Sequence, residues 1–184
     1  MRESEAHDRF NGVIAYLAGL WFTFYWCDKD VAVMSVLLLS WCDTAASTFG
    51  RLFGKYTPRI RRGKSLAGSM AAFVVGFMSA GLFWGMVAPY TERKFGTDMK
   101  GFAFRGTLRL PAPMRDHTGL SWDEAEMSGM TALVFLSLVT GVTVSMSEAV
   151  GVFHLDDNIT IPVLCGVGLT FFLWAFGGSS SWHI

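Results

Sequence analysis

The chain has 184 residues, of which 52% are hydrophobic and only 16% charged, and its mean hydropathy is +0.38. Soluble domains usually carry about a quarter charged residues, so this composition indicates an integral membrane protein. The 15 basic and 15 acidic residues balance to a formal net charge of zero. That balance argues against nucleic acid as a partner, because nucleic-acid-binding domains are typically basic.

Five segments are apolar enough to cross a bilayer, which requires about 20 helical residues. In chain order they cover residues 10–26, 31–50, 66–90, 127–146 and 160–176. Continuous apolar runs inside these segments lack the alternation of β-barrel strands, whereas helices satisfy their backbone internally. We therefore predict an all-α fold, a polytopic membrane helix bundle with about five transmembrane helices, as one domain over residues 1–184.

The loop between the second and third predicted spans is strongly basic. It carries six basic residues and no acidic one: Arg51, Lys55, Arg59, Arg61, Arg62 and Lys64. Short basic loops remain in the cytosol, so we expect loop 51–64 to be cytosolic. If five spans alternate, Glu148 and residues 156–158 lie on the same side, where they would meet the loop. Attraction to anionic lipid is the simpler alternative for such a loop.

Asp43 lies inside the second predicted span. About 12 apolar residues precede it, which is too short a helix to cross the bilayer core, so Asp43 should lie within the membrane. An intramembrane carboxylate is costly and indicates function, although a Ser or Thr on a neighbouring helix is the alternative explanation. If the helix continues, one face carries Asp43, Ser47, Gly50 and Gly54, and the adjacent face carries Thr44, Arg51 and Lys55.

The small residues on that face also suit close helix packing, which is common in membranes. Packing does not explain an aspartate followed by basic residues, so we interpret the loop as a phosphate clamp of Arg and Lys side chains. Lys64 and Ser65 open the third span, where a helix N-terminus favours phosphate. The candidate nucleotide- or phosphate-binding residues are Thr44, Ser47, Gly50, Arg51, Gly54, Lys55, Arg61, Arg62, Lys64 and Ser65.

A second group of acids follows the fourth span. Glu148 lies at a predicted helix C-terminus, where the helix dipole disfavours an acid. Capping of the N-terminus of the fifth predicted span would account for Asp157 or Asn158. It would not account for two adjacent aspartates at this position. Carboxylates beside phosphate suit Mg²⁺ or Ca²⁺, and one of them suits the activation of a hydroxyl. The candidate catalytic residues are Asp43, Glu148 and Asp157, and the candidate metal ligands are Asp43, Asp156, Asp157 and Asn158.

Three strings of residues carry a family resemblance, namely 40–46 leading into 50–55, 64–69, and Glu148 with 156–162. In this order and spacing they resemble the fungal CTP-dependent diacylglycerol kinases. Dolichol kinase, phytol kinase and CDP-diacylglycerol synthase look like more distant relatives. The resemblance covers most of the chain apart from about 91–126. Family members usually carry further N-terminal sequence, so we expect this chain to match a shortened member with one CTP-transferase-like domain.

The resemblance implies transfer of the CTP γ-phosphate to diacylglycerol, with a divalent metal, at the endoplasmic reticulum and nuclear membrane. Asp43 matches the aspartate of the family's motif, Gly50 and Gly54 match its glycines, and Lys64 matches its following basic position. The residues themselves do not distinguish CTP from ATP, and they indicate no protein partner. Three alternatives stay open: a polyprenol-type lipid kinase, a cytidylyltransferase that releases pyrophosphate, and a non-catalytic protein that binds anionic lipid.

Overall fold

The structure of the chain is a computed structural model. It describes residues 3–61, 63–95, 101–119, 121, 124–150 and 156–177. The helices are α1 (Glu3–Trp26), α2 (Lys29–Phe53), α3 (Leu66–Leu82), α4 (Ala88–Phe95), α5 (Ala112–Thr118), α6 (Gly129–Ala149) and α7 (Asp157–Phe176). Helices α1, α2, α3, α6 and α7 lie at the five predicted spans, so the prediction of an all-α membrane helix bundle is confirmed.

Four helical stretches are long and apolar enough to cross a membrane. They are Lys29–Tyr56, Leu66–Lys94, Gly129–Ala149 and Asp157–Phe176. The first helix contributes a shorter apolar stretch, Gly12–Trp26, within the described residues, so the fifth crossing stays a prediction. A π-helical turn at Phe83–Val87 joins α3 to α4 within the third span. The span runs past its predicted end at residue 90, because α4 continues to Phe95.

Helix α3 lies between α2 and α6 and contacts both through small residues. Its buried row includes Gly68, Ala72, Gly76 and Ala80, at the spacing of one helix face. A Cβ added at Gly76 would lie 3.4 Å from the Cα of Gly141 on α6, so the two backbones approach closely. Membrane helices associate through such small-residue contacts. Helix α7 packs against α1, α2 and α6 and completes the bundle.

Two short antiparallel hairpins connect the helices. The first pairs β1 (Arg59–Arg61) with β2 (Lys64–Ser65), and the second pairs β3 (Thr107–Arg109) with β4 (Glu126–Ser128). The first hairpin lies in the basic loop and places Lys64 directly before α3. Gly63 in its turn has a φ of +83°, a conformation that glycine adopts without strain.

The end of the bundle opposite the basic loop is held together by Asp30. This fully buried aspartate at the start of α2 accepts hydrogen bonds from the backbone N–H of Ala103 at 2.9 Å and of Phe104 at 3.0 Å. The indole Nε1 of Trp84, in the π-helical turn, donates a third at 3.0 Å. Asp30 therefore ties a loop segment, for which the sequence suggested no role, to two membrane helices.

Replacing Asp30 with alanine should destabilise the fold strongly. The change leaves two buried N–H groups and one part-buried N–H group without their acceptor, which costs about 3–5 kcal/mol in all and lowers the melting temperature by about 10 °C. Thermal unfolding of the purified protein in detergent measures this. Asp28→Ala, at an exposed neighbouring acid, is the matched control and should change the melting temperature little. Equal losses in the two variants would contradict this role for Asp30.

Candidate active site

An ion cluster centred on Lys64 forms at the basic-loop end of the bundle. The Lys64 ammonium donates a hydrogen bond to Glu148 Oε1, and it lies 2.9 Å from Asp157 Oδ2. The Glu148 side chain is only 4% exposed, whereas that of Asp157 is 42% exposed. The three side chains come from β2, the last turn of α6 and the first turn of α7. The prediction that the basic loop meets these acids on one side is confirmed.

The Lys64 ammonium remains charged in this setting. Burial by itself would lower the pKa of Lys64, but the hydrogen bonds and negative charges of Glu148 and Asp157 outweigh it and raise that pKa above its usual value. A buried carboxylate such as Glu148 requires a paired cation. Lys64 therefore neutralises an acid whose charge burial in the protein would otherwise strongly disfavour.

Asp43 is half-buried on α2 and faces the same cluster. The charges of Lys64, Asp157 and Asp156 all act on it. Within the described residues, no hydrogen bond or ion pair joins Asp43 to another side chain. The nearby hydroxyls are used elsewhere, because Thr44 donates to Ser40 O at 2.7 Å and Ser47 donates to Thr44 O at 3.0 Å. A satisfied structural carboxylate therefore does not explain Asp43.

A cavity of about 330 Å³, here called the basic cleft, opens between the end of α2 and the first hairpin. Its lining residues are Gly50, Arg51, Gly54, Lys55, Arg59, Gly63, Lys64 and Ser65. Arg51 Nε donates to Ser47 O at 3.1 Å, and the Lys55 ammonium lies 4.7 Å from the centre of the Tyr56 ring. Four cations thus border one cavity, as a phosphate clamp requires. Arg61 is exposed on β1, and Arg62 lies outside the described residues.

Gly50 and Gly54 serve both helix packing and the cleft. A Cβ added at Gly54 would lie 2.9 Å from Ser65 Oγ, and one at Gly50 would lie 3.3 Å from the same atom. On the facing helix, a Cβ at Gly68 would lie 2.8 Å from the carbonyl oxygen of Ala46. The alternative of small-residue packing is therefore correct for these positions. Gly50, Gly54 and Ser65 also line the basic cleft, so the close approach of α2 to Ser65 forms part of the cleft wall.

The start of α3 is capped from within the protein. The backbone N–H of Leu66 donates to Pro58 O at 3.0 Å, that of Ala67 to Thr57 Oγ1 at 3.3 Å, and that of Gly68 to Ser65 Oγ at 3.3 Å. A phosphate would have to displace these caps. Binding of phosphate at this helix start stays a prediction, and the neighbouring cations are the more accessible partners.

A second cavity of about 190 Å³, here called the polar slot, lies between α2, α3 and α6. Its lining residues are Ala46, Ser47, Gly50, Arg51, Gly63, Lys64, Ser65, Gly68, Ser69 and Glu148. Gly50, Arg51, Gly63, Lys64 and Ser65 line both cavities, so the polar slot and the basic cleft adjoin. A polyanion and a small polar group can therefore be held side by side next to Glu148.

Three curated proteins named CTP-dependent diacylglycerol kinase 1 are similar to this chain. The protein of Eremothecium gossypii is 46% identical over 167 residues, which cover 91% of this chain and 45% of its own length. The Schizosaccharomyces pombe protein is 41% identical over 89% of this chain and 61% of its own length. The Saccharomyces cerevisiae protein is 39% identical over 89% of this chain and 49% of its own length. The chain is a homologue of these kinases.

This kinase homologue spans about half of the length of the curated relatives that it matches. At lower identity, 33% over 168 residues, it is also similar to phytol kinase 1 of Arabidopsis thaliana. No family model matches the chain, and no solved structure is significantly similar to it. The resemblance stated from the sequence motifs is confirmed.

The carboxylates of the kinase homologue do not form a metal cage by themselves. Across residues 3–150 and 156–177, excluding the undescribed gaps, no three His, Cys, Asp or Glu side chains are grouped closely enough to hold a metal. Mg²⁺ usually takes one or two carboxylates together with substrate phosphates, whereas Ca²⁺ takes six to eight oxygens. Asp43 and Asp156 are not paired with Lys64 among the described residues. The metal itself stays a prediction.

The first turn of α7 differs from the expectation in one respect. Asp156, rather than Asp157 or Asn158, caps the helix, because its Oδ1 accepts a hydrogen bond from Asn158 N at 3.0 Å. Capping by Asp156 leaves the Asp157 carboxylate to pair with Lys64. His154, beside this turn, lies outside the described residues.

Sequence reasoning missed four residues of the polar slot, Ala46, Gly63, Gly68 and Ser69. The signal was present, because small and hydroxyl residues recur at the start of the third span. Such a pattern is typical of helix packing, however, and the bounding acid from α6 is 79 residues away from Ser69 in sequence. Only the packing of three helices shows that these small residues enclose a cavity.

Proposed function

We propose that this chain acts as a CTP-dependent diacylglycerol kinase, which transfers the γ-phosphate of CTP to the lipid hydroxyl and produces phosphatidate and CDP. The observation that carries the proposal is the basic cleft adjoining a polar slot and a carboxylate cluster at one end of a membrane bundle. The similarity of the chain to three proteins named CTP-dependent diacylglycerol kinase 1 supports the choice of CTP and diacylglycerol. A lipid alcohol and a soluble nucleotide would meet at such a membrane end.

The basic residues bind the triphosphate in this proposal. Phosphoryl transfer depends mainly on positioning and on neutralising charge, which cations around one cavity supply. Arg51, Lys55, Arg59 and Lys64 border the cleft, and Arg61 is exposed on the neighbouring strand β1. Arg62, the next residue in the sequence, is proposed to contribute from its position in the chain alone. Lys64 has two roles in this proposal. Without nucleotide it pairs with Glu148 and Asp157, and with nucleotide it gives up part of that contact to bind a phosphate oxygen.

The carboxylates orient the acceptor and take up its proton. In the transfer, the lipid hydroxyl oxygen forms a bond to the γ-phosphorus while the bond from that phosphorus to the β-phosphate oxygen breaks. The bonding electrons leave with CDP, and the hydroxyl proton moves to one of Asp43, Glu148 or Asp157. A Mg²⁺ ion held with the triphosphate by Asp43 and Asp156 would neutralise phosphate charge.

The same proposal assigns a membrane orientation. The basic loop 51–64 faces the cytosol, from which a water-soluble nucleotide arrives, and the membrane is the endoplasmic reticulum or nuclear envelope. The excess of basic residues in this loop supports the orientation. Protease accessibility of the loop in sealed microsomes tests it, because a lumenal loop would be protected.

A second candidate is a kinase for an isoprenoid alcohol. The similarity to a phytol kinase favours it, and the apolar helix surfaces do not identify a particular lipid. A cytidylyltransferase would use the same phosphate-binding cations but release pyrophosphate. A non-catalytic lipid-binding protein would need the basic loop, but it would leave two acids without a role: the buried Glu148 and Asp43, which has no side-chain partner among the described residues.

The decisive experiment measures transfer of labelled γ-phosphate to lipid by membranes that contain this chain. We expect labelled phosphatidate with CTP, diacylglycerol and Mg²⁺, at least tenfold more than with ATP, and none after chelation of the metal. Membranes without the chain are the blank, and phytol and dolichol are tested as competing acceptors.

The other products separate the alternatives. Preferred labelling of phytol or dolichol would replace diacylglycerol as the acceptor, and pyrophosphate release in place of CDP would indicate a cytidylyltransferase. Binding to anionic vesicles without any transfer would contradict the kinase proposal and favour the non-catalytic alternative.

A further inference from the structure

The hydroxyls of Ser69 and Thr170 differ from the other buried hydroxyls of the described helices, because neither oxygen has a hydrogen-bond partner there. The others donate to a carbonyl one turn earlier, as Ser35, Ser79 and Thr140 do at 2.7–2.8 Å. Thr170 borders a largely apolar cavity, whereas Ser69 lines the polar slot. Ser69 is only 5% exposed, yet its Oγ has no hydrogen-bond partner in the part of the chain that the structure describes. A buried hydroxyl without a partner is costly, so this group is available to a ligand.

The position of Ser69 is held firmly at the inner part of the polar slot. It lies on α3, one helical turn further into the span than Ser65, and it lines the slot together with Glu148. Its own carbonyl accepts a hydrogen bond from Ser145 Oγ of α6 at 2.9 Å. That contact ties α3 to α6 at this level, so the Ser69 hydroxyl has a defined location relative to the carboxylate.

The chemistry of the slot suits a small neutral polar group. Ala46, Gly50 and Gly68 add little bulk to its walls, and Ser69 supplies an uncharged hydroxyl in the first turns of α3. A phosphate would instead be bound by Arg51 and Lys64, at the part shared with the basic cleft. The volume of about 190 Å³ is below the roughly 300 Å³ at which pockets for whole drug-sized ligands begin. A headgroup alcohol fits this description.

We infer that Ser69 binds the acceptor alcohol of the lipid and holds its oxygen beside Glu148. The inference rests on the proposed function and names a residue that contacts the acceptor. The Ser69 hydroxyl donates to the acceptor oxygen, whose own proton faces the Glu148 carboxylate. When that oxygen bonds to the γ-phosphorus and the bond to the β-phosphate oxygen breaks, the proton moves to Glu148 and the electron pair leaves with CDP.

The kinetic test compares Ser69→Ala with Ser79→Ala, a buried serine on the same helix whose hydroxyl already has a partner. We expect Ser69→Ala to raise the KM for diacylglycerol about tenfold, the loss of one hydrogen bond, and to change the KM for CTP less than twofold. Ser79→Ala should change neither value by more than twofold. An unchanged lipid KM, or an increase in the KM for CTP alone, would overturn the inference.

A binding test does not depend on turnover. Dihexanoylglycerol is titrated by calorimetry into the wild-type chain, Ser69→Ala and Ser79→Ala in detergent, with a non-hydrolysable CTP analogue present. We expect about tenfold weaker binding to Ser69→Ala only. Equal affinities for the wild type and Ser69→Ala, including no measurable binding by either, would overturn the inference. If only Ser69→Ala binds dihexanoylglycerol more weakly and the wild type transfers no phosphate, the alcohol site is supported. The proposed kinase reaction is then contradicted.

Discussion

Replacing Asp43 with asparagine is expected to reduce CTP-dependent phosphate transfer by about 10²–10³-fold, which corresponds to about 3–4 kcal/mol of transition-state stabilisation. Asparagine keeps the shape of the side chain but removes the charge. Asp43 faces Lys64, Asp156 and Asp157 and has no hydrogen bond or ion pair among the described residues, so its charge is available to the metal and triphosphate.

The Asp43 experiment needs activity and folding measured on the same preparations. Labelled phosphatidate per unit of inserted protein gives the first, and melting temperature in detergent gives the second. Asp28→Asn, an exposed acid at the other end of α2, should retain transfer within twofold of wild type. Transfer by Asp43→Asn that is close to wild type would remove this carboxylate from the mechanism.

Replacing Lys64 with methionine should affect both stability and transfer. Methionine keeps a flexible stem but leaves the buried Glu148 carboxylate without its cation, at a cost of about 3 kcal/mol in the free energy of unfolding. The loss of a phosphate-binding charge should also reduce transfer by about 100-fold. Denaturant unfolding in detergent and the labelled-phosphate assay measure the two effects.

The double variant Lys64→Met with Glu148→Gln separates the two effects. It removes both charges, so we expect the free energy of unfolding to recover to within about 1 kcal/mol of wild type. Transfer should remain lost, because neither the phosphate-binding cation nor the nearby carboxylate is restored. Recovery of transfer with stability would contradict a direct role for Lys64 and Glu148 and reduce their pairing to a structural one.

The helices were predictable because membrane spans depend on local composition. A bilayer excludes unsatisfied backbone groups, so continuous apolar runs of about 20 residues become helices wherever they lie in a sequence. The same reasoning predicted that loop 51–64 would meet Glu148 and Asp157, since alternation of the spans brings their ends to one side. It did not predict the first hairpin, whose turn depends on the conformation of Gly63.

The caps at the helix starts were not predictable from the sequence, for a different reason. Several residues at each start are able to cap it, and the choice depends on what the remaining residues contact. Asp156 caps α7 while Asp157 pairs with Lys64, and Thr57, Pro58 and Ser65 occupy the first N–H groups of α3. Spacing along the chain does not separate these cases.

The sequence by itself determined the membrane class, the positions of the helices, the family resemblance and the end at which the charges gather. These follow from composition, from the alternation of spans and from motifs that are local in the chain. Only the tertiary structure decided that Lys64 is paired with two acids, that Asp30 binds the loop at the opposite end, and that the hydroxyl of Ser69 lacks a partner among the described residues. Each of these is a contact between residues far apart in sequence, and its free energy depends on burial that only packing creates.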